Sequence, residues 1–239
     1  TPATEQTEVR VLFDDATLYV GVLARDSNPD QIVARLLARD KVMETEFDGK
    51  PRFGGDDGIA ILIDPFHDHR NAFVFATNPN GAEFEALIAD EGRAFNIDWR
   101  GVWQVAAKRV PEGWSAEFEI PFRTLRYPAN PATWGFNVYR MIRRKNEEAL
   151  WQAWSRDNAG FARVSRAGHL EGLAGLPAPG LNADVKPYLL GGADVTRPDG
   201  RAERKGVGNV GLDVKSEVRP VTVAWMRCWY LPCPSCTSD

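Results

Sequence analysis

Trp99 stands in a short polar loop, Phe95-Asn96-Ile97-Asp98-Trp99-Arg100-Gly101, with Trp103 just beyond it. A sugar ring has an apolar C–H face that stacks on an indole, and in-plane hydroxyls that need amide, carboxylate or guanidinium partners. Asn96, Asp98, Trp99 and Arg100 supply that set within five residues. Trp103 would extend the aromatic surface, and Trp151 and Trp154 would add a second aromatic wall. A different reading folds Trp99 back over a sheet end as a lid on the core. Local sequence leaves both open.

Other constellations point to chemistry more weakly. Glu83/Glu85 and Glu117/Glu119 are carboxylate pairs at i,i+2. A glycoside hydrolase needs two carboxyl groups facing each other across a cleft, not neighbours on one strand, so both pairs read as solvated strand faces. His67-Asp68-His69 places two imidazoles at a spacing seen in transition-metal sites, within what reads as a loop. Calcium prefers loop oxygens near strand ends; Asp57, Asp64 and Asp68 are the best placed, with Asp56, Asn71 and Asp98 as further oxygen donors. Turn capping by the same side chains is the competing account. No nucleophile elbow, phosphate-binding loop or zinc-protease helix is present. Cys228, Cys233 and Cys236 all lie in the last twelve residues, and one CxxC pair without a second is a weak metal or redox signal.

The 239 residues carry a net charge of -4, with 44% hydrophobic and 26% charged residues. That composition suits a folded domain and lacks the basic face of a nucleic-acid binder. No run reaches the roughly 20 apolar residues of a membrane helix.

The positioning elements are strands. Residues 8–13 and 17–25 alternate around Asp14-Asp15, and residues 102–109 and 114–120 alternate around Val110-Pro111-Glu112-Gly113. Each pattern predicts an antiparallel hairpin. Residues 58–63 and 72–77 are apolar on both faces, as central strands are. Asn78-Pro79-Asn80-Gly81 is a turn, followed by a strand over 83–88. Residues 30–43 allow a short helix with Ile32, Leu36 and Leu37 on one side, or a loop with one strand. Trp114 and Trp134 read as core. Nine or ten strands at this spacing predict an all-β fold, an antiparallel, jelly-roll-like β-sandwich, followed by a fragment of a second β region. Residues 184–192 and 206–215 are Gly-rich and weakly alternating, like strands of an outer-membrane barrel. The stretch from Ser216 matches neither pattern.

The runs DDGIAILIDPFHD, NPNG, DWRGVW, GWSAEFEIPFRTLRY, WGFNVYRMIRRKNE and AGHLEGL, in this order, resemble family 9 carbohydrate-binding modules, in the version found ahead of outer-membrane β-barrels. The resemblance spans about residues 4–176. It implies a domain over 1–176 with its first strand missing, then a linker and truncated barrel start over 177–215; residues 216–239, which fit neither pattern, read as an atypical, disordered tail. It implies glycan binding without catalysis, often with calcium, by an exported protein at the periplasmic face of the outer membrane or the cell surface. Its partners would be an oligo- or polysaccharide and the barrel of the parent chain, with no nucleic acid. In sugar-binding members two tryptophans clamp a sugar end; Trp99 matches one. The family has an earlier Trp-containing strand before the position of Thr1. The rival expectations are a plug or interaction domain without a sugar site, and a glycan-active hydrolase.

Overall fold

The strands β5 (Gly58–Asp64) and β6 (Ala72–Thr77) are buried along their entire length. They form the centre of the larger of the two sandwich sheets in a computed structural model that describes residues 2–41, 43–45, 51–129, 131, 133–152, 160–176, 183–196 and 203–216. Their neighbours are β7 (Glu83–Ala89), β8 (Ala94–Asn96), β11 (Trp134–Ile142), β12 (Glu147–Leu150) and β13 (Gly168–Leu170). The order across this sheet is β12-β11-β5-β6-β7-β8, with β13 also paired to β11. The smaller sheet is β1 (Thr7–Phe13), β2 (Thr17–Arg25), β10 (Gly113–Pro121) and β9 (Gln104–Val110), in that order.

Period-2 alternation sorts the side chains into layers. Leu18, Val20, Val22 and Ala24 from β2 and Trp114, Ala116, Phe118 and Ile120 from β10 face inward from the smaller sheet. They meet Ile59, Ile61, Ile63, Phe73, Phe75, Phe136 and Val138 of the larger sheet. This is the sandwich core that the alternating runs predict, and Trp114 and Trp134 are fully buried in it. The outer face of the larger sheet carries Ala60, Leu62, Val74, Ala76, Ala86 and Tyr139 and forms a second apolar layer. A small hairpin, β3 (Met43–Thr45) with β4 (Pro51–Phe53), helps to cover it: Phe53 stacks on Tyr139 with ring centres 5.5 Å apart. A Cβ on Gly58 would fall 2.1 Å from the Phe53 ring, so the glycine makes room for that cover.

The helix allowed over 30–43 does not form. Only a 3-10 turn, Pro29–Gln31, is present, and Ile32 after it is extended. Backbone N–H groups of Val33, Arg35 and Leu36 donate to the Asp57 and Asp56 carboxylates instead of to a helix. Leu37 is 75% exposed, so the three apolar residues do not form one face. Strands β3, β4 and β8 were not expected; at three residues each they are too short for an alternation signal.

At one end the sandwich core is closed by charge. Arg140, 1% exposed, projects from β11. Its guanidinium donates to the carbonyls of Gln6 and Arg25 and to the Thr7 hydroxyl, tying the larger sheet to the smaller. Burial lowers its pKa, against the pull of Asp26, Asp57 and Glu5. Beside it Arg144 bridges Glu5 and Asp26, and Lys145 also reaches Glu5. Burial alone would raise the Glu5 pKa, but hydrogen bonds from Lys145 and Ser27 outweigh it and bring it down to about 2.

Residues Thr1–Gly180 and Leu181–Asp239 are separate compact units. In the second, β14 (Ala183–Thr196) and β15 (Glu203–Ser216) pair antiparallel over all 14 residues of each. Tyr188, Leu189, Leu190 and Val210 are exposed on this hairpin. The tail over 217–239, with the three cysteines, lies outside the described residues.

Arg140→Met removes the three hydrogen bonds that join the two sheets, together with a buried cation that attracts Asp26, Asp57 and Glu5. It is expected to destabilise the sandwich by about 3 kcal/mol, read from urea unfolding. A depressed carboxylate pKa contributes stability that is complete above the unfolded value of 4.5 and is lost as pH falls toward about 2. The unfolding free energy of the Glu5→Gln variant should therefore depend less on pH than the parent's between those limits, by on the order of 2 kcal/mol.

Candidate functional site

Two aspartates at the entrance to β5 set the position of a loop that the sequence does not single out. The Asp56 carboxylate accepts from the N–H groups of Arg35 and Leu36 and from the Asn78 side-chain amide. Asn78 in turn donates to the Leu36 carbonyl and accepts from the N–H groups of Asn80 and Ala82. The Asn-Pro-Asn-Gly turn and the segment 33–36 are thereby fixed to each other. Arg39 and Asp40 follow directly and lie over β7, where the Asp40 N–H donates to the Glu83 carbonyl at 2.8 Å.

There Arg39 bridges two carboxylates, Glu83 and Glu85, each at 2.5 Å. Glu85 is completely buried, which corrects its reading as a solvated strand face. It faces the sandwich core, where an unpaired charge would be expensive, and Arg39 and the Trp103 indole N–H (3.3 Å) satisfy it. Burial pushes the Glu83 pKa up, against the attraction of Arg39. These two carboxylates share one cation on one strand. They are not a facing pair of the kind glycoside hydrolysis uses.

The Trp99 loop closes the same edge. Asn96 accepts from the Asp98 N–H at 3.1 Å and shapes the turn. Arg100 donates to the carbonyls of Ile97 and Trp99 and pairs with Asp40 at 2.9 Å, joining this loop to the Arg39 segment. Asn96, Asp98 and Arg100 are exposed and Trp99 is half-buried. Its ring lies 5.2 Å from Phe73 and 6.0 Å from Phe75, so one face rests on the core. Gly101 permits this, because a Cβ there would meet the indole at 2.7 Å.

The other tryptophans divide. Trp103 is 4% exposed and stacks on Phe118 at 5.9 Å with ring planes 9° apart. It is a core residue and not a ligand surface, because its place at the start of β9 turns it inward. Trp151 is 54% exposed, just past β12, and its ring leans on Phe136 at 6.1 Å. Phe136, Ile63 and Phe73 are consecutive cross-strand partners on the inner face. Trp99 and Trp151 therefore lean on the two ends of one row, whose end residues are two strand spacings, about 10 Å, apart. Trp154 lies outside the described residues.

The structure does not bring Asp57, Asp64 and Asp68 together. Asp57 precedes β5 and Asp64 ends it, so a strand of about 20 Å separates them, far beyond the reach of one calcium ion. Burial raises the pKa of both, against the N–H groups they accept from. Those groups are Val33 and Arg143 for Asp57, and His69 and Asp68 for Asp64. Asp68 is exposed and caps its own turn through the N–H groups of Arg70 and Asn71. Among the described residues no group of three or more His, Cys, Asp or Glu is already arranged around a metal position.

Arg39, Asp40 and Glu85 escape sequence reading because nothing local marks them. Arg39 and Glu85 are 46 positions apart, and their pairing depends on the Asp56 anchor.

No family model and no curated protein matches this chain. Among solved structures, a candidate carbohydrate-binding protein from Bacteroides uniformis is similar with a TM-score of 0.55 and 12% identity, over 70% of this chain and 78% of that one. A family 9 carbohydrate-binding module from Caldicellulosiruptor kristjanssonii is similar in its glucose complex, with a TM-score of 0.44 and 15% identity over 72% of this chain and 78% of that one. Its cellotriose complex gives a TM-score of 0.46 and 16% identity over 74% of this chain and 82% of that one. The chain is an all-β antiparallel sandwich, and it shares its fold with the Bacteroides uniformis protein.

Proposed function

We propose that residues 1–176 form a non-catalytic module that binds an oligo- or polysaccharide at the edge built by Trp99, Trp151 and the Arg39 network. One observation carries this reading: two accessible indoles lean on opposite ends of the Phe136–Ile63–Phe73 row. Indoles held in that way supply stacking surfaces for a sugar. Beside Trp99, Arg39, Glu83, Asn96, Asp98 and Arg100 supply donors and acceptors for hydroxyls. Asp40 Oδ1 is buried without a partner among the described residues, an acceptor suited to a hydroxyl donor. Glucose and cellotriose, the ligands of the Caldicellulosiruptor module, are the first probes to use.

The parent protein in this reading is exported and anchored in the outer membrane, with the module on the periplasmic face or the cell surface. The β14–β15 hairpin supports it. Its strands exceed the 9–11 residues that cross a bilayer in a barrel, and it exposes tyrosine, leucine and valine side chains.

The packing of Trp99 on Phe73 and Phe75 favours a second reading, in which that indole is a core lid on an interaction domain with no sugar site. Titration of glucose, cellotriose and a broader glycan panel, followed by tryptophan fluorescence and calorimetry, separates the two. Sugar binding predicts saturation, with a loss of roughly tenfold or more in both Trp99→Ala and Trp151→Ala. Arg39→Ala is expected to weaken binding further and to destabilise the fold by about 2 kcal/mol, because Glu85 stays buried without its cation. No response across the panel would leave the lid reading standing.

A further inference from the structure

The three histidines of the chain, His67, His69 and His169, meet at one place. Two come from the turn after β5 and the third from β13, 100 residues later in the chain. The His67 ring centre lies 4.3 Å from that of His69 and 5.0 Å from that of His169. His169 and Asp64 are both cross-strand partners of Gly135. Alternation along β5 and β11 places this row on the outer face of the larger sheet, opposite to the Phe136–Ile63–Phe73 row. The cluster is therefore independent of the proposed sugar edge.

Specific local structure builds the cluster. His67 and His69 both have left-handed backbone, with φ of 51° and 59°. Asp64 holds the turn by accepting from the N–H groups of Asp68 and His69. Gly135 lets Asp64 sit there, because a Cβ would approach the Asp64 side chain at 2.9 Å. The turn's own carboxylates are engaged with backbone N–H groups, but the imidazoles are not. His67 Nε2 and His69 Nδ1 are buried with no hydrogen-bond partner among the described residues. Two buried ring nitrogens without partners, beside a third ring, are unusual and point to a missing ligand.

The ring spacing identifies its chemistry. With a metal–nitrogen distance of about 2.1 Å and the nitrogen about 1.1 Å from its ring centre, two imidazoles on one ion have centres about 4.5 Å apart at a right angle and about 5 Å apart at the tetrahedral angle. The His67–His169 separation of 5.0 Å falls in this range and the His67–His69 separation of 4.3 Å lies just below it. Among the described residues no three such side chains are arranged around a metal position, so binding requires the rings to turn about their side-chain torsions. His169 is exposed and has room to turn. We propose that His67, His69 and His169 bind one divalent transition-metal ion of the zinc–nickel–copper class through three imidazole nitrogens, with water completing the shell.

Calorimetric titration of the full chain with Zn²⁺ tests this, in a Cys228→Ser/Cys233→Ser/Cys236→Ser background so that no thiolate competes. One equivalent should bind. His169→Ala and His67→Ala/His69→Ala should each weaken binding roughly tenfold or more, with the near-ultraviolet signature of the buried tryptophans retained. Replacing both left-handed histidines tests loss of ligands and of turn together. His169→Ala, on a strand with ordinary backbone, tests the ligand alone. Absence of a saturable equivalent, or unchanged affinity in His169→Ala, would overturn the proposal.

Discussion

Burial of the central strands on both faces is the constraint that organises this protein. Every residue of β5, β6 and β11 is buried, so the larger sheet needs a cover on each side. The four-stranded sheet covers one side and forms the sandwich core. The other is covered piecemeal by β3, β4 and the segment 160–167, through Met43, Phe53, Ala162 and Val164. A sheet covered by a second sheet on one side and by irregular chain on the other places its loops along the edges, and the candidate sites lie there.

Polar groups decide where those edge loops go. Asp56, Asp57, Asn78, Glu85 and Arg140 are all buried, and each carries hydrogen bonds to chain distant in sequence. In a low-dielectric interior such groups are costly unless satisfied, which makes their partners specific. Asp56 and Asn78 hold the segment that delivers Arg39 and Asp40; Glu85 receives Arg39; Arg140 locks the two sheets at the far end. The apolar alternation makes the sandwich, and this polar set gives it one arrangement of loops.

The two outer sites show how differently the same physics can be used. At the Trp99 edge Arg39 pairs with Glu83 and Glu85 and Arg100 with Asp40, and the indoles remain partly open. At the histidine cluster the carboxylates are consumed by the turn, while ring nitrogens are left without partners. Both sites use glycine to admit close contact: Gly101 for the Trp99 ring and Gly135 for Asp64.

The long strands, their inner faces, the turn at Asn78–Gly81 and the core roles of Trp114 and Trp134 were legible in the sequence, because alternation and turn chemistry are local. The three-residue strands β3, β4 and β8 were not, because they are too short for alternation to show, and neither was the anchoring of segment 33–36, because its N–H groups go to Asp56 and Asp57, far outside any local window. The tryptophans show the boundary most sharply. Trp99 and Trp103 look alike in sequence, four positions apart in one loop and strand start. Only the tertiary structure makes one an edge residue and the other core, because the direction of each indole depends on the Phe75, Phe118 and Glu85 side chains it meets. The sequence by itself determined an all-β chain with an aromatic, polar loop. The packing of distant segments decided that Arg39 and Trp151 are the partners available to that loop, and that three scattered histidines share one place.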